Sequence, residues 1–191
     1  SFAKSIAAER PEEIALRDPR QALTWLDVDN VLNRAANAIR LAETGPDLRI
    51  AVFAENGVET ALANLGGLIG GASVVPINFH LTAEEVAYIL SDSGARMVFL
   101  GPETAERGLE AAALAGIDQI IGWRCEIAGL QSWSEWLAAS SPEEPDTSIP
   151  PRPNLLYTSG TTGRPKGTHL PPTMFAGGDT VEAHLQNLKL N

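Results

Sequence analysis

Apolar positions along this chain change their period several times. From Leu26 onward, Val28, Val31, Leu32, Ala35, Ala36 and Ile39 recur at i, i+3, i+4 and i+7, the stripe of an amphipathic helix. Ile50-Ala51-Val52-Phe53 is apolar at every position, as a strand covered on both faces must be. A glycine-bearing helical run follows, then Ala72-Ser73-Val74-Val75 as a second strand. Thr82-Ala83-Glu84-Glu85 has capping-box spacing and opens a helix through Val86, Ile89 and Leu90. Residues 96–100 predict a strand, 103–115 a helix, and Gln119-Ile120-Ile121 another strand. Strands separated by helical patterns make β-α-β units, so the expected fold class is α/β, a parallel sheet flanked by helices.

Residues 61–77 test that reading, because Gly66, Gly67, Gly70 and Gly71 create two overlapping G-x-x-x-G spacings in a largely apolar run. In lipid that spacing would drive helix dimerisation. The run is shorter than the ~20 residues a span requires, Asn64 interrupts it, and Pro76 closes it. A buried helix whose glycines let a strand approach closely is the expectation, with no transmembrane segment.

The texture shifts at Ser140. Residues 140–153 are polar and rich in proline and read as an extended linker. The expected organisation is therefore an N-terminal α/β subdomain over 1–139, a linker over 140–153, and a strand, loop and helix over 154–191 that begin the next part of a larger domain. A helix is expected to resume near Thr173. The acidic pair Glu143-Glu144 reads as a solvated loop.

Charge narrows the chemistry. The 191 residues carry a formal charge of −10 without a Lys/Arg cluster, which argues against a nucleic-acid partner. The single cysteine, Cys125, excludes a disulfide framework and a multi-cysteine metal site, and fits a reducing, cytoplasmic setting. No signal peptide is visible at Ser1-Phe2-Ala3-Lys4, and no initiator Met is present, so a processed or truncated chain is expected.

Asn154-Leu155-Leu156-Tyr157 reads as a short strand, and after it comes the most informative segment: Thr158, Ser159, Gly160, Thr161, Thr162, Gly163, Arg164, Pro165, Lys166 and Gly167. Glycines let a backbone fold its N–H groups onto an anion, the four hydroxyls add donors, and Lys166 supplies positive charge for phosphates. It is not a Walker A loop, since Pro165 precedes Lys166 and Gly167 follows it. A plain Ser/Thr/Gly linker is the alternative, but such a linker would not join an apolar strand to Arg164-Pro165-Lys166-Gly167.

Residues 157–167 resemble the AMP-binding signature of the adenylate-forming superfamily, which holds acyl-CoA synthetases, adenylation domains of nonribosomal peptide synthetases, and luciferases. Residues 24–39 resemble that family's early helix, and residues 75–90 its stretch around Val75-Pro76-Ile77-Asn78 and Leu81-Thr82-Ala83-Glu84-Glu85. The texture is closest to bacterial fatty-acyl-CoA synthetases. The resemblance implies the N-terminal subdomain of such an enzyme, with ATP and Mg2+ used to convert a carboxylic acid, in the first place a fatty acid, into an acyl-adenylate that CoA then takes up. It implies that residues 158–166 bind the nucleotide phosphates.

The family's Tyr-Gly-x-Thr-Glu and Thr-Gly-Asp stretches and its late lysine-bearing domain do not occur before Asn191, so no catalytic residue and no metal ligand is assigned within this chain. Taken alone it is expected to be inactive and to need the missing C-terminal part of the same enzyme; a homodimer is an open assembly. His80 stands where the family often has Arg, and Pro171-Pro172 where many members read Thr-His. His80, His169 and His184 read as structural or surface histidines, Cys125 as a small buried filler, and Trp123, Trp133 and Trp136 as a minor core. The competing readings are an amino-acid-activating adenylation domain, a non-catalytic nucleotide-binding module, and an interaction remnant.

Overall fold

The computed structural model describes residues 3–42, 48–158, 165–169 and 179–187. A short helix α1 (Lys4–Glu9) and a hairpin of β1 (Ile14–Arg17) and β2 (Ala22–Thr24) lead into the long helix α2 (Trp25–Leu41). Strands and helices then alternate through β3 (Arg49–Phe53), α3 (Val58–Ile69), β4 (Ser73–Ile77), α4 (Ala83–Ser93), β5 (Met97–Leu100), α5 (Ala105–Ala115) and β6 (Gln119–Gly122). A two-residue β7 (Gln131–Ser132) and α6 (Trp133–Ala138) follow. Beyond an irregular stretch come β8 (Leu155–Thr158), β9 (Lys166–His169) and α7 (Val181–Asn187).

Five strands form one parallel sheet in the order β4-β3-β5-β6-β7. Successive side chains on a strand face opposite ways, and the core divides accordingly. Ile50 and Val52 of β3, Val74 of β4, and Met97 and Phe99 of β5 point to the layer that holds α2, α3, α6 and α7. Ala51 and Phe53, Val75 and Ile77, and Val98 and Leu100 point to the layer of α4 and α5. Both faces are covered, which is why these strands read as unbroken apolar runs.

The helix starts are set by short polar side chains. Thr82 and Glu85 form the anticipated capping box on α4, and Thr24 with Asp27 forms a second on α2, where Asp replaces the usual Glu. Asp18 accepts backbone N–H bonds from Arg20 and Gln21 in the β1–β2 turn and another, at 3.2 Å, from Val58 at the start of α3. Those bonds, the one from Arg20 foremost, hold its carboxyl below the ordinary carboxylate range.

The glycines of α3 do what their spacing suggests, and one thing more. A Cβ on Gly67 would lie 2.6 Å from Ile50 Cδ1 and 2.7 Å from Val74 Cγ2, so its absence lets β3 and β4 pack against the helix. A Cβ on Gly66 would lie 2.7 Å from Ala35 Cβ, so the same run brings α2 against α3. No described helix is long and apolar enough to cross a membrane.

Residues 140–153 form a strap whose carbonyls are held by one face of α2. Arg34 donates to Ser140 O at 2.6 Å, Asn37 to Ser141 O and Glu143 O at 2.9 Å each, and Arg40 to Asp146 O. Ile149 packs on the core beside Gly71, whose φ of +78° suits glycine and whose missing Cβ would sit 2.3 Å from Ile149 Cδ1. Arg152 donates to Gly71 O and the Ser73 hydroxyl to Pro153 O, delivering β8 beside the start of β4.

Helix α7 docks on the same strap. Its first amides, Val181 N and Glu182 N, donate to Ile149 O at 2.7 Å and Thr147 O at 3.0 Å, while the Thr180 hydroxyl accepts from Ala183 N. His184 lies 2% exposed beneath it, and burial holds its imidazole below the ordinary value near 6.5. With the folded value lowered, the unfolded chain takes the proton first, so this stability is present above about pH 6.5 and lost as pH falls from there through the folded value. The melting temperature is expected to fall between about pH 7 and pH 5.5, and to fall less in His184→Gln; equal slopes in the two proteins would refute the assignment.

Candidate functional site

An antiparallel hairpin flanks the segment read from the sequence as a phosphate loop. Strands β8 and β9 pair Leu155 with His169, Leu156 with Thr168, Tyr157 with Gly167, and Thr158 with Lys166. The last pair closes the ladder, so Thr158 and Lys166 face each other at the two roots of the loop, both exposed, with Pro165 half-buried beside Lys166. Ser159, Gly160, Thr161, Thr162, Gly163 and Arg164 lie outside the described residues, as does the expected helix start near Thr173. Lys166–His169 form a strand in a stretch that the sequence pattern assigns to the loop and its exit. Lys166-Gly167-Thr168-His169 has almost no apolar period, so its pairing with β8 carries no local signal.

Tyr157 fixes that register. Its ring lies across Gly167, where a Cβ would meet Tyr157 Cζ at 3.1 Å and the hydroxyl oxygen at 3.2 Å. An aromatic ring over the facing glycine supplies the cross-strand contact that glycine lacks. The hydroxyl donates a 2.6 Å hydrogen bond to Asp92 Oδ2 in the last turn of α4. Burial first, and then that bond, push the phenol above its ordinary value of 10. Ser93, the next residue, accepts through its carbonyl from Arg49, the first residue of β3. The root of the loop therefore stands at the amino-terminal edge of the parallel sheet.

The opposite edge carries a separate feature. Strand order reverses between β3 and β5, the switch point where open α/β sheets place ligands beyond their carboxyl ends. A cavity of about 600 Å³ opens farther along that edge, beyond the ends of β6 and β7, lined by Gly122, Arg124, Cys125, Glu126, Ser132 and Glu135. Arg124 forms an ion pair with Glu59 at 3.1 Å. Cys125, expected as a small buried filler, is half-buried on the cavity wall, and burial, with the Glu55 carboxylate nearby, raises its thiol pKa. The thiolate is the nucleophile, so this thiol is a poor one at neutral pH.

His80 is exposed, its ring centroid 4.0 Å from that of Phe79, and the side chain of His169 lies outside the described set. Trp123, Trp133 and Trp136 join the main core rather than a minor one, with Trp133 and Trp136 edge-on to Phe99. Among the described residues no three His, Cys, Asp or Glu side chains converge as metal ligands would.

Residues 3–172 match the AMP-binding enzyme family, and the chain belongs to it. It is 35% identical over 147 residues to the long-chain-fatty-acid–CoA ligase FadD13 of Mycobacterium tuberculosis, covering 76% of this chain and 29% of that protein. It is 29% identical over 161 residues to tyrocidine synthase 3 of Brevibacillus parabrevis, covering 84% of this chain and 2% of that one. The inhibitor-bound N-terminal domain of FACL13 from Mycobacterium tuberculosis superposes with a TM-score of 0.74 at 29% identity, over 88% of this chain and 43% of that domain. The five-stranded sheet and its helices are thus those of the N-terminal domain of adenylate-forming enzymes, and the chain spans less than half of each of these relatives.

Proposed function

We propose that this chain is the N-terminal part of an ATP-dependent acid–thiol ligase that activates a fatty acid as its acyl-adenylate and passes the acyl group to CoA. The observation that carries this reading is the hairpin that sets Thr158 opposite Lys166 at the mouth of a Ser/Thr/Gly loop, in a chain of the AMP-binding family. The likeness to FadD13 supports the fatty acid and CoA. In the first step the carboxylate attacks the α-phosphorus of ATP, the bond to the bridging oxygen breaks, and pyrophosphate leaves with the electron pair. In the second, the CoA thiol attacks the acyl carbonyl and AMP leaves.

The loop's task is to hold the β- and γ-phosphates as negative charge grows on them. Residues 158–166 would bind them, Lys166 by charge, Thr158, Ser159, Thr161 and Thr162 as donors, and Gly160 and Gly163 by permitting close backbone approach. Arg164 and Pro165 would shape the path into Lys166. Mg2+ would reach the site on the triphosphate, where it neutralises charge.

The likeness to tyrocidine synthase 3 favours a second reading, an amino-acid-activating adenylation domain. Acid-dependent ATP–pyrophosphate exchange by the full-length enzyme that contains this chain, run with fatty acids of graded length and with the common amino acids, separates the two. Exchange driven by fatty acids, followed by thioester formation with CoA, is the expected result. Exchange driven by an amino acid alone would replace the first reading with the second. Exchange with neither would leave a nucleotide-binding module without ligase chemistry.

A further inference from the structure

We infer that Tyr157 and Asp92 form a positioning pair that locks the phosphate-loop hairpin onto the end of helix α4 and so sets the affinity for the nucleotide. This rests on the reading of residues 158–166 as a phosphate binder. A two-stranded hairpin is marginal by itself, so its place depends on what it is fastened to. Leu155 is buried in the layer of α4 and α5, which anchors the near end of β8. Two residues on, Tyr157 is the last side chain before the loop with a fixed tertiary partner, Asp92 at 2.6 Å.

The bond has the chemistry of a latch. A neutral hydroxyl donates to a carboxylate, a charge-assisted contact stronger than one between neutral partners. The same ring bridges both strands, through its own position on β8 and its contact with Gly167 on β9. Moving Tyr157 therefore moves Gly167, and with it Lys166, the adjacent residue that is to meet the phosphates. The acceptor end is itself held, because Ser93, next to Asp92, is tied through its carbonyl to Arg49 at the start of β3. The chain of contacts runs from the central sheet through α4 to the root of the loop. Neither Tyr157 nor Asp92 need touch the nucleotide.

The test uses the intact ligase proposed above, with acid-dependent ATP–pyrophosphate exchange as the assay. Tyr157→Phe removes the donor alone and Asp92→Ala the acceptor alone, while Asp92→Asn keeps an accepting oxygen. Loss of one charged hydrogen bond predicts that KM for MgATP rises about ten-fold in Tyr157→Phe and Asp92→Ala, with KM for the carboxylic acid within about two-fold of wild type. Asp92→Asn should retain MgATP affinity to within about three-fold, and Tyr157→Phe/Asp92→Ala should be no worse than either single change, as for partners in one interaction. A merely structural role would raise both KM values together, and that result would overturn the assignment. So would an unchanged MgATP KM in Tyr157→Phe while Lys166→Ala is impaired. If Lys166→Ala matches wild type, the phosphate-loop reading fails and this role fails with it. If wild type shows no exchange with any acid, the ligase reading fails and the same variants are compared by direct MgATP binding, where an unchanged affinity in Tyr157→Phe overturns the role.

Discussion

Phe99→Ala is expected to destabilise the chain by about 3–5 kcal/mol, the range for truncating a buried aromatic side chain. Phe99 is 0% exposed on β5, the middle strand of the parallel sheet. Its ring meets Trp133 edge-on at 5.7 Å and Trp136 edge-on at 5.3 Å, and those two indoles stack on each other at 5.3 Å. Removing the ring leaves a hole bordered by rigid aromatics on one side and by β-strands on the other, so little can collapse into it. For a chain of this length the melting temperature should fall by about 6–20 °C in thermal denaturation. A fall of less than about 3 °C would mean that the indoles slide into the space, and the packing account would be wrong.

Lys166→Ala is expected to act on chemistry and leave folding alone. The side chain is exposed at the first position of β9, and the substitution keeps the backbone ladder to Thr158. Away from packed or capped positions such a change moves stability by no more than about 0.5 kcal/mol. If the ammonium neutralises charge developing on departing pyrophosphate, its removal should lower acid-dependent ATP–pyrophosphate exchange about 10²–10³-fold, as loss of one preorganised electrostatic contact does. Thr161→Ala/Thr162→Ala should reduce the same rate through lost donors. Exchange at the wild-type rate in both variants, with an unchanged melting temperature, would remove the loop from the mechanism.

How far the sequence discloses this structure depends on whether a feature is local. Ile50-Ala51-Val52-Phe53 announces a strand covered on both faces, because four apolar residues in succession can be buried only by two layers. Thr82 and Glu85 announce a helix start, since their bonds span three residues. The β8–β9 hairpin announces half of itself. Leu155 and Leu156 are apolar enough to mark a strand, whereas Lys166-Gly167-Thr168-His169 becomes one through its ladder to β8, with Tyr157 lying across Gly167. Asp92 gives no local hint of its partner 65 residues away. The tryptophans illustrate the same limit, since composition marks them for burial but not for the sheet face they share with Phe99.

The strap over α2 has a consequence for how this protein can vary. Arg34, Asn37 and Arg40 grip main-chain oxygens, and every residue type offers the same oxygen. The gripping side must therefore keep its donor side chains, while exposed positions on the gripped side such as 142 and 143 can exchange their own side chains without losing the path. Selection would see a helix face under tight constraint lying against a ribbon that is constrained at fewer positions. A region of low sequence complexity can in this way follow an unvarying route and still deliver the next strand to its place.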